Sequence, residues 1–177
     1  MNFPRRKQLR LSQYDYSQNG CYYITICSYQ RECIFGEVIN SKMVLNDLGK
    51  LIETYWRNLP KRFPNISVTP YIVMPNHLHG IIIIDQTAAL GCGKPHPYAP
   101  ESTPTMNQRA SIGNDGLFGI IRTFKSSTTT AANRIYETPG RKLWQRNYYE
   151  RIVRNEQELS KLTVYIQENA LKWNGTV

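Results

Sequence analysis

The 177 residues carry 22 Lys and Arg against 13 Asp and Glu, a formal charge of +9, with only three histidines. A chain of this length can bury a core of its own, and a composition of 41% hydrophobic and 20% charged residues excludes a disordered or collagenous chain. No apolar run approaches the roughly 20 residues of a membrane span, and residues 1–10 are basic where a secretory signal would be apolar; the expectation is one domain over residues 1–177, cytoplasmic, with no membrane partner.

After the basic arm, residues 21–29 (CYYITICSY) are rich in β-branched and aromatic side chains behind an Asn19-Gly20 turn signal, the pattern of a strand. Asn46 or Asp47 is placed to cap a helix over residues 48–59, where Leu48, Leu51, Ile52, Tyr55 and Leu59 recur at helical spacing before Pro60 ends it. Residues 66–74 read as a second strand, Pro75-Asn76 as a turn and residues 77–85 as a third strand, and so tight a connection implies an antiparallel hairpin. Residues 86–115 change to Gly, Pro, Ser, Thr and Asn with little periodicity, which predicts a flexible surface insertion; it carries the third histidine, His96. A second helix is expected over residues 116–136, with Leu117, Ile120, Ile121, Phe124, Ala131 and Ile135 inward and Arg122 and Lys125 outward, although Ser126 to Thr130 lower its propensity. Pro139 and Gly140 break the chain, residues 149–153 form a fourth strand, and Asn155 caps a last helix running to about Lys172. The order β, α, β, β, α, β, α predicts an α+β fold: a ferredoxin-like antiparallel sheet with helices on one face and the C-terminal helix over the other.

Cys21, Cys27, Cys33 and Cys92 form neither a C-x-x-C pair nor a dense framework, so they read as free thiols and not as a zinc site. The positive charge is concentrated. Residues 116–154 hold eight basic side chains (Arg122, Lys125, Arg134, Arg141, Lys142, Arg146, Arg151 and Arg154) against Glu137 and Glu150, and residues 1–20 add Arg5, Arg6, Lys7 and Arg10 against Asp15. Such clustering is the electrostatic footprint of a polyanion partner, nucleic acid before membrane.

His77 and His79 flank Leu78 on the third strand. Side chains alternate faces along a strand, so both histidines leave the same side, within reach of one metal ion. A His-x-His pair alone does not separate metal ligands from two hydrogen-bonded or solvent-facing imidazoles; the third partner decides. Tyr165 and Asn169 stand four apart in YIQEN, which on a continuous helix places them on one face. A tyrosine hydroxyl, with a pKa of about 10, needs support to act as a nucleophile at neutral pH, and a divalent cation on a phosphodiester supplies it by neutralising charge on the attacked group. Two imidazoles with the amide oxygen of Asn169 suit Mg²⁺ or Mn²⁺, the imidazoles tilting the choice to Mn²⁺. A tyrosine on an amphipathic helix also serves as a core aromatic, and that reading stays open for Tyr165 at this level.

The segment YIVMPNHLHGIIII, the basic helix after it, the block LWQRNYYERIVRNEQEL and the final VYIQENALKW together resemble the single-tyrosine HUH transposases of insertion sequences, and among them the REP-associated tyrosine transposase branch. The resemblance covers residues 15–173 apart from the insertion. It implies that His77 and His79 bind the catalytic divalent metal with Asn169, and that Tyr165 attacks single-stranded DNA beside a hairpin, at REP-like sequences or element ends, through a 5′-phosphotyrosine. It further implies that Arg122, Lys125, Arg141, Lys142, Arg146, Arg151 and Arg154 hold DNA. Members work either as homodimers that exchange the last helix or as monomers. Tyr148 and Tyr149 read as strand residues, one packing inward and one stacking on a base, and Trp144 as a packing or DNA-contacting residue. The competing reading is a ferredoxin-like module that binds nucleic acid without cutting it. A phosphoesterase with two histidine motifs is disfavoured, because His96 is isolated.

Overall fold

The computed structural model describes residues 18–85 and 116–173. The basic N-terminal arm and the insertion with Cys92 and His96 lie outside them.

The chain folds as β1 (Gly20–Cys27), a hairpin of β2 (Gly36–Ile39) and β3 (Lys42–Leu45), α1 (Asp47–Arg57), a short α2 (Leu59–Arg62), β4 (Ile66–Ser67), β5 (Tyr71–Met74), β6 (His77–Ile84), α3 (Gly116–Ile135), β7 (Tyr149–Val153) and α4 (Glu156–Gln167). Its main sheet is antiparallel, with β6 and β1 at the centre, β7 on the far edge of β1, and β4 and β5 end to end along the outer side of β6. With β4 and β5 counted as one broken strand, this is the expected ferredoxin-like arrangement.

Alternation along β1 and β6 decides what each face of the sheet does. Tyr22, Ile24 and Ile26 pair across with Ile82, Gly80 and Leu78 and join the larger core with Ile52 and Trp56 of α1 and Leu117, Ile120, Ile121 and Phe124 of α3. Gly80 permits this packing, since a Cβ there would lie 2.5 Å from Trp56 Cζ2. The opposite face carries Tyr23, Ile81 and Val153 under Ile166, Leu159 and Leu162 of α4. It also carries Thr25, His77 and His79, so α4 covers the histidine face.

Several expectations are corrected. Residues 66–74 are two short strands, because Pro70 has no N–H to give a ladder; its carbonyl instead accepts from Ile81 N at 2.9 Å. The first helix ends at Arg57, and Pro60 stands in the first turn of α2, where its missing N–H costs nothing. Asn46 is the cap, its side chain accepting from Gly49 N at 2.9 Å, a contact of the kind worth about 1 kcal/mol. The hairpin of β2 and β3 was not foreseen; its turn residues Asn40 and Ser41 take φ of 50° and 60°, the tight hairpin turn with both central residues left-handed. Ile135 is 56% exposed instead of inward. The hydroxyl-rich part of α3 remains helical because Thr128 and Thr129 donate back to Phe124 O at 2.8 Å and Lys125 O at 2.7 Å, turning would-be competitors of the helix into side bonds along it. The last helix stops at Gln167, and residues Asn169–Lys172 form a 3₁₀ turn, so Tyr165 and Asn169 do not share one continuous α-helix.

Candidate active site

The histidine face is built as a cross-strand row. Thr25 lies directly opposite His79, with Ile72 of β5 and Tyr149 of β7 on the flanks. His77 and His79 are 2% and 3% exposed, and their ring centroids stand 4.3 Å apart. Each ring is held by one nitrogen. His77 Nδ1 donates to Asn76 Oδ1 at 2.7 Å, and His79 Nδ1 lies 2.7 Å from the Tyr23 hydroxyl and 2.8 Å from Thr25 Oγ1. Both Nε2 atoms are buried with no hydrogen-bond partner.

Burial, the Arg31 charge and then a smaller opposing effect from the Asn169 amide leave the His77 pKa lowered to about 4; the amide acts on the ring without giving Nε2 a full hydrogen bond. Burial and the neighbouring His77 lower that of His79 to about 3. Both imidazoles are therefore neutral at physiological pH, the state in which a ring nitrogen can ligate a metal.

Two buried, adjacent, neutral imidazoles with anchored Nδ1 and unpartnered Nε2 fit a shared cation, since an orphaned buried polar atom is otherwise costly. Asn169, buried at 8% exposure, brings its amide to His77 and is the residue placed to add an oxygen ligand. Among the described residues no group of three or more His, Cys, Asp and Glu side chains could hold a metal. A cation held here would meet two imidazoles and an amide, donors that suit Mg²⁺ or Mn²⁺ better than a structural zinc ion.

Tyr165 is 42% exposed at the rim, its ring edge-on to His79 with centroids 5.4 Å apart. The chain passes from α4 through Glu168 into the 3₁₀ turn, yet both Tyr165 and Asn169 reach the histidine face, Tyr165 beside His79 and Asn169 beside His77. Trp173 tilts over His77 at 5.9 Å. Of the neighbouring tyrosines, Tyr148 packs against the larger core, and Tyr149 is exposed beside Tyr23. Tyr23, Thr25 and Asn76, the residues that hold the two rings, were missed in the sequence; the alternation in YYIT puts Tyr23 and Thr25 on one face, but nothing local says which strand they oppose.

No family model matches the chain. An uncharacterised protein of Haemophilus influenzae is 39% identical over 168 residues, covering 95% of this chain and 89% of that one. The chain belongs to the family of that protein. A solved structure of a REP-associated tyrosine transposase bound to a REP hairpin superposes with a TM-score of 0.57 at 18% identity, covering 94% of this chain and 76% of the other. The fold is that of the REP-associated tyrosine transposases.

On this transposase fold the seven basic residues singled out in the sequence fall into separate groups. Arg122, Lys125, Lys142 and Arg146 line a groove of about 450 Å³ between α3 and the segment before β7, together with Trp144 and Tyr148. Lys125 is not an outward cation: its ammonium donates to Gln145 O at 2.6 Å and Arg146 O at 2.9 Å, and burial lowers its pKa. It builds the groove wall by tying that segment to α3. Lys142 lies 5.3 Å from the Tyr29 ring centroid. Arg141 pairs with Glu32 at 3.6 Å across the surface. Arg151 pairs with Glu158 of α4, and Arg154 is exposed beside the same helix, its backbone N–H donating to Glu158 Oε2 at 2.9 Å. Trp144 is a packing residue, 6% exposed, its indole donating to Thr128 Oγ1 at 2.8 Å. No helix among the described residues is long and apolar enough to cross a membrane.

Proposed function

We propose that the protein cleaves and rejoins single-stranded DNA next to hairpins, with Tyr165 as nucleophile and a divalent cation, Mg²⁺ or Mn²⁺, held by His77, His79 and Asn169. The observation that carries this reading is the pair of buried, unpartnered Nε2 atoms lying beside the exposed tyrosine ring. The likeness in fold to a transposase that binds a REP hairpin supports it.

When bound, the cation neutralises charge on a non-bridging phosphate oxygen and orients the phosphorus. The chain supplies the rest. Asn76, Tyr23 and Thr25 hold the imidazoles in place, and Tyr165 Oη loses its proton to solvent as its bond to phosphorus forms. The P–O3′ bond breaks and the leaving 3′ oxygen takes a proton from solvent, leaving a 5′-phosphotyrosine and a free 3′-hydroxyl. In the return step a 3′-hydroxyl attacks the same phosphorus and Tyr165 leaves, so no nucleotide cofactor is consumed. Arg122, Lys142 and Arg146 in the groove, with Arg154 and Arg151 by α4, hold phosphates, and Arg141 adds to the field at the edge. One chain brings His77, His79, Asn169 and Tyr165 to the same face of the sheet, so a homodimer is compatible with the site but not required by it.

The decisive assay incubates the protein with a hairpin oligonucleotide bearing single-stranded flanks and Mn²⁺ or Mg²⁺, and looks for a covalent protein–DNA band that survives denaturation. The band is expected to vanish with EDTA. Tight hairpin binding with no adduct on any flank sequence would favour instead a non-catalytic nucleic-acid-binding module.

A further inference from the structure

His79 has two hydroxyl oxygens on one nitrogen, and both come from the neighbouring strand. Thr25 is its direct cross-strand partner and Tyr23 the diagonal one, so a single register places both beside Nδ1. Tyr23 is 6% exposed, and its ring stacks on that of His79 with centroids 5.5 Å apart and planes 24° apart. The rings of Tyr165 and Tyr149 each meet that of Tyr23 edge-on, with centroids 6.4 Å apart. Tyr23 is thus the common neighbour of a candidate metal ligand and the candidate nucleophile. A hydroxyl buried in an otherwise apolar cluster with Ile81, Val153 and Ile166 is costly unless hydrogen-bonded, and this one is bonded to His79.

We infer that Tyr23 is a positioning residue, whose hydroxyl, together with that of Thr25, keeps the His79 proton on Nδ1 and so keeps the Nε2 lone pair turned to the cation. This inference rests on the metal reading proposed above. The chemistry follows from the imidazole: a neutral ring carries one N–H, and the nitrogen that donates it cannot ligate. Hydroxyl oxygens stand at 2.7 and 2.8 Å from Nδ1 and none stands at Nε2, so a proton on Nδ1 has two hydroxyl oxygens to accept it and one on Nε2 has none. The Thr25 hydroxyl also bonds the phenol oxygen of Tyr23, linking the two acceptors. The stacked ring fixes the imidazole plane, while its other edges set where Tyr165 stands. His77 is held differently, its Nδ1 by the side-chain amide of Asn76, so the two histidines should respond separately to mutation.

The test uses the full chain without metal and Tyr23→Phe, which retains the stacked ring and removes only the hydroxyl; Thr25→Val serves as the second variant should Tyr23→Phe not fold. Long-range ¹H–¹⁵N spectra of the histidine side chains read the tautomer directly, and calorimetric titration with Mn²⁺ reads affinity. Wild type is expected to carry the His79 proton on Nδ1. Either variant should shift protons toward Nε2 at His79, leave the His77 signals in place, and weaken Mn²⁺ binding by about 10-fold, as loss of an outer-shell partner does. Protonation of wild-type His79 on Nε2, or unchanged tautomer and affinity in a folded variant, would overturn the inference while leaving the metal reading intact. Failure of wild type to bind Mn²⁺ at all would overturn both.

Discussion

The ring of Tyr165 meets that of His79 edge-on, with centroids 5.4 Å apart and planes at 64°, although one residue sits on the last helix and the other on a central strand. Leu159, Leu162 and Ile166 of α4 pack over Ile81, Val153 and Tyr23, and this docking brings the tyrosine to the histidines. Tyr149, the other exposed tyrosine near this face, contacts Tyr23 instead.

That difference separates the two tyrosines experimentally. Tyr165→Phe is expected to cut the yield of covalent protein–DNA adduct by at least about 100-fold, since no other nucleophile replaces the hydroxyl, while leaving hairpin binding unchanged. Tyr149→Phe should retain the adduct. Denaturing gels with labelled oligonucleotide read both outcomes, and adduct persisting in Tyr165→Phe would remove this residue from the nucleophile's role.

Removing either imidazole should abolish metal binding more completely than removing the residues behind it. His77→Ala and His79→Ala are each expected to weaken Mn²⁺ binding by more than about 100-fold, beyond the range typical of outer-shell losses. Asn169→Ala should weaken it less, because an amide oxygen is a weaker ligand than an imidazole and water can take its place. Titration calorimetry ranks the three.

The two histidines also make stability depend on pH in a defined direction. Burial holds them neutral, with pKa values of about 4 and about 3 in the folded chain against 6.5 when exposed. Below pH 6.5 the unfolded chain takes up protons that the folded chain does not, so stability falls with pH until the folded-state values are reached, by up to about 1.4 kcal/mol per pH unit for each histidine. Above pH 6.5 these groups contribute no slope. Urea midpoints at pH 7.5, 6 and 5 in EDTA should therefore decline, and His79→Gln should decline less.

The groove predicts its own salt dependence. Replacing Arg146 or Lys142 by Ala should weaken binding to different hairpins by similar factors and lower the slope of log affinity against log salt by about one each. Lys125→Ala should differ. It removes the two bonds that tie the segment 145–146 to α3, so thermal stability should drop along with affinity.

A stability test lies inside the larger core. Thr128 is fully buried and accepts the indole N–H of Trp144. Thr128→Val keeps the shape and strands that donor, which should cost about 1–3 kcal/mol in urea denaturation. Trp144→Phe, which removes the donor as well, leaves the Thr128 hydroxyl its bond to Phe124 O and should be limited to the cost of lost packing.

The local periodicities were legible in the chain alone. Alternation in CYYITIC and HLHGIIII set the strands and placed His77 and His79 on one face; apolar spacing set α1 and α3, Asn46 is the cap of the two candidates for α1, and Asn155 caps α4 as read. The tight turn at Pro75-Asn76 was enough to infer a hairpin. All of these depend on neighbours within a few residues, and propensity and sterics act at that range. What surrounds His79 does not. The opposition of Thr25 to His79 is a matter of strand register, the tie of Lys125 to carbonyls beyond Pro139 a matter of helix docking, and the passage of Asn169 into a 3₁₀ turn a matter of how the chain end settles on the sheet. Such pairings are chosen by burial and hydrogen-bond satisfaction across the whole fold, so the chain alone offered candidate side chains for the site, and only tertiary packing decided which of them touch and which others hold them.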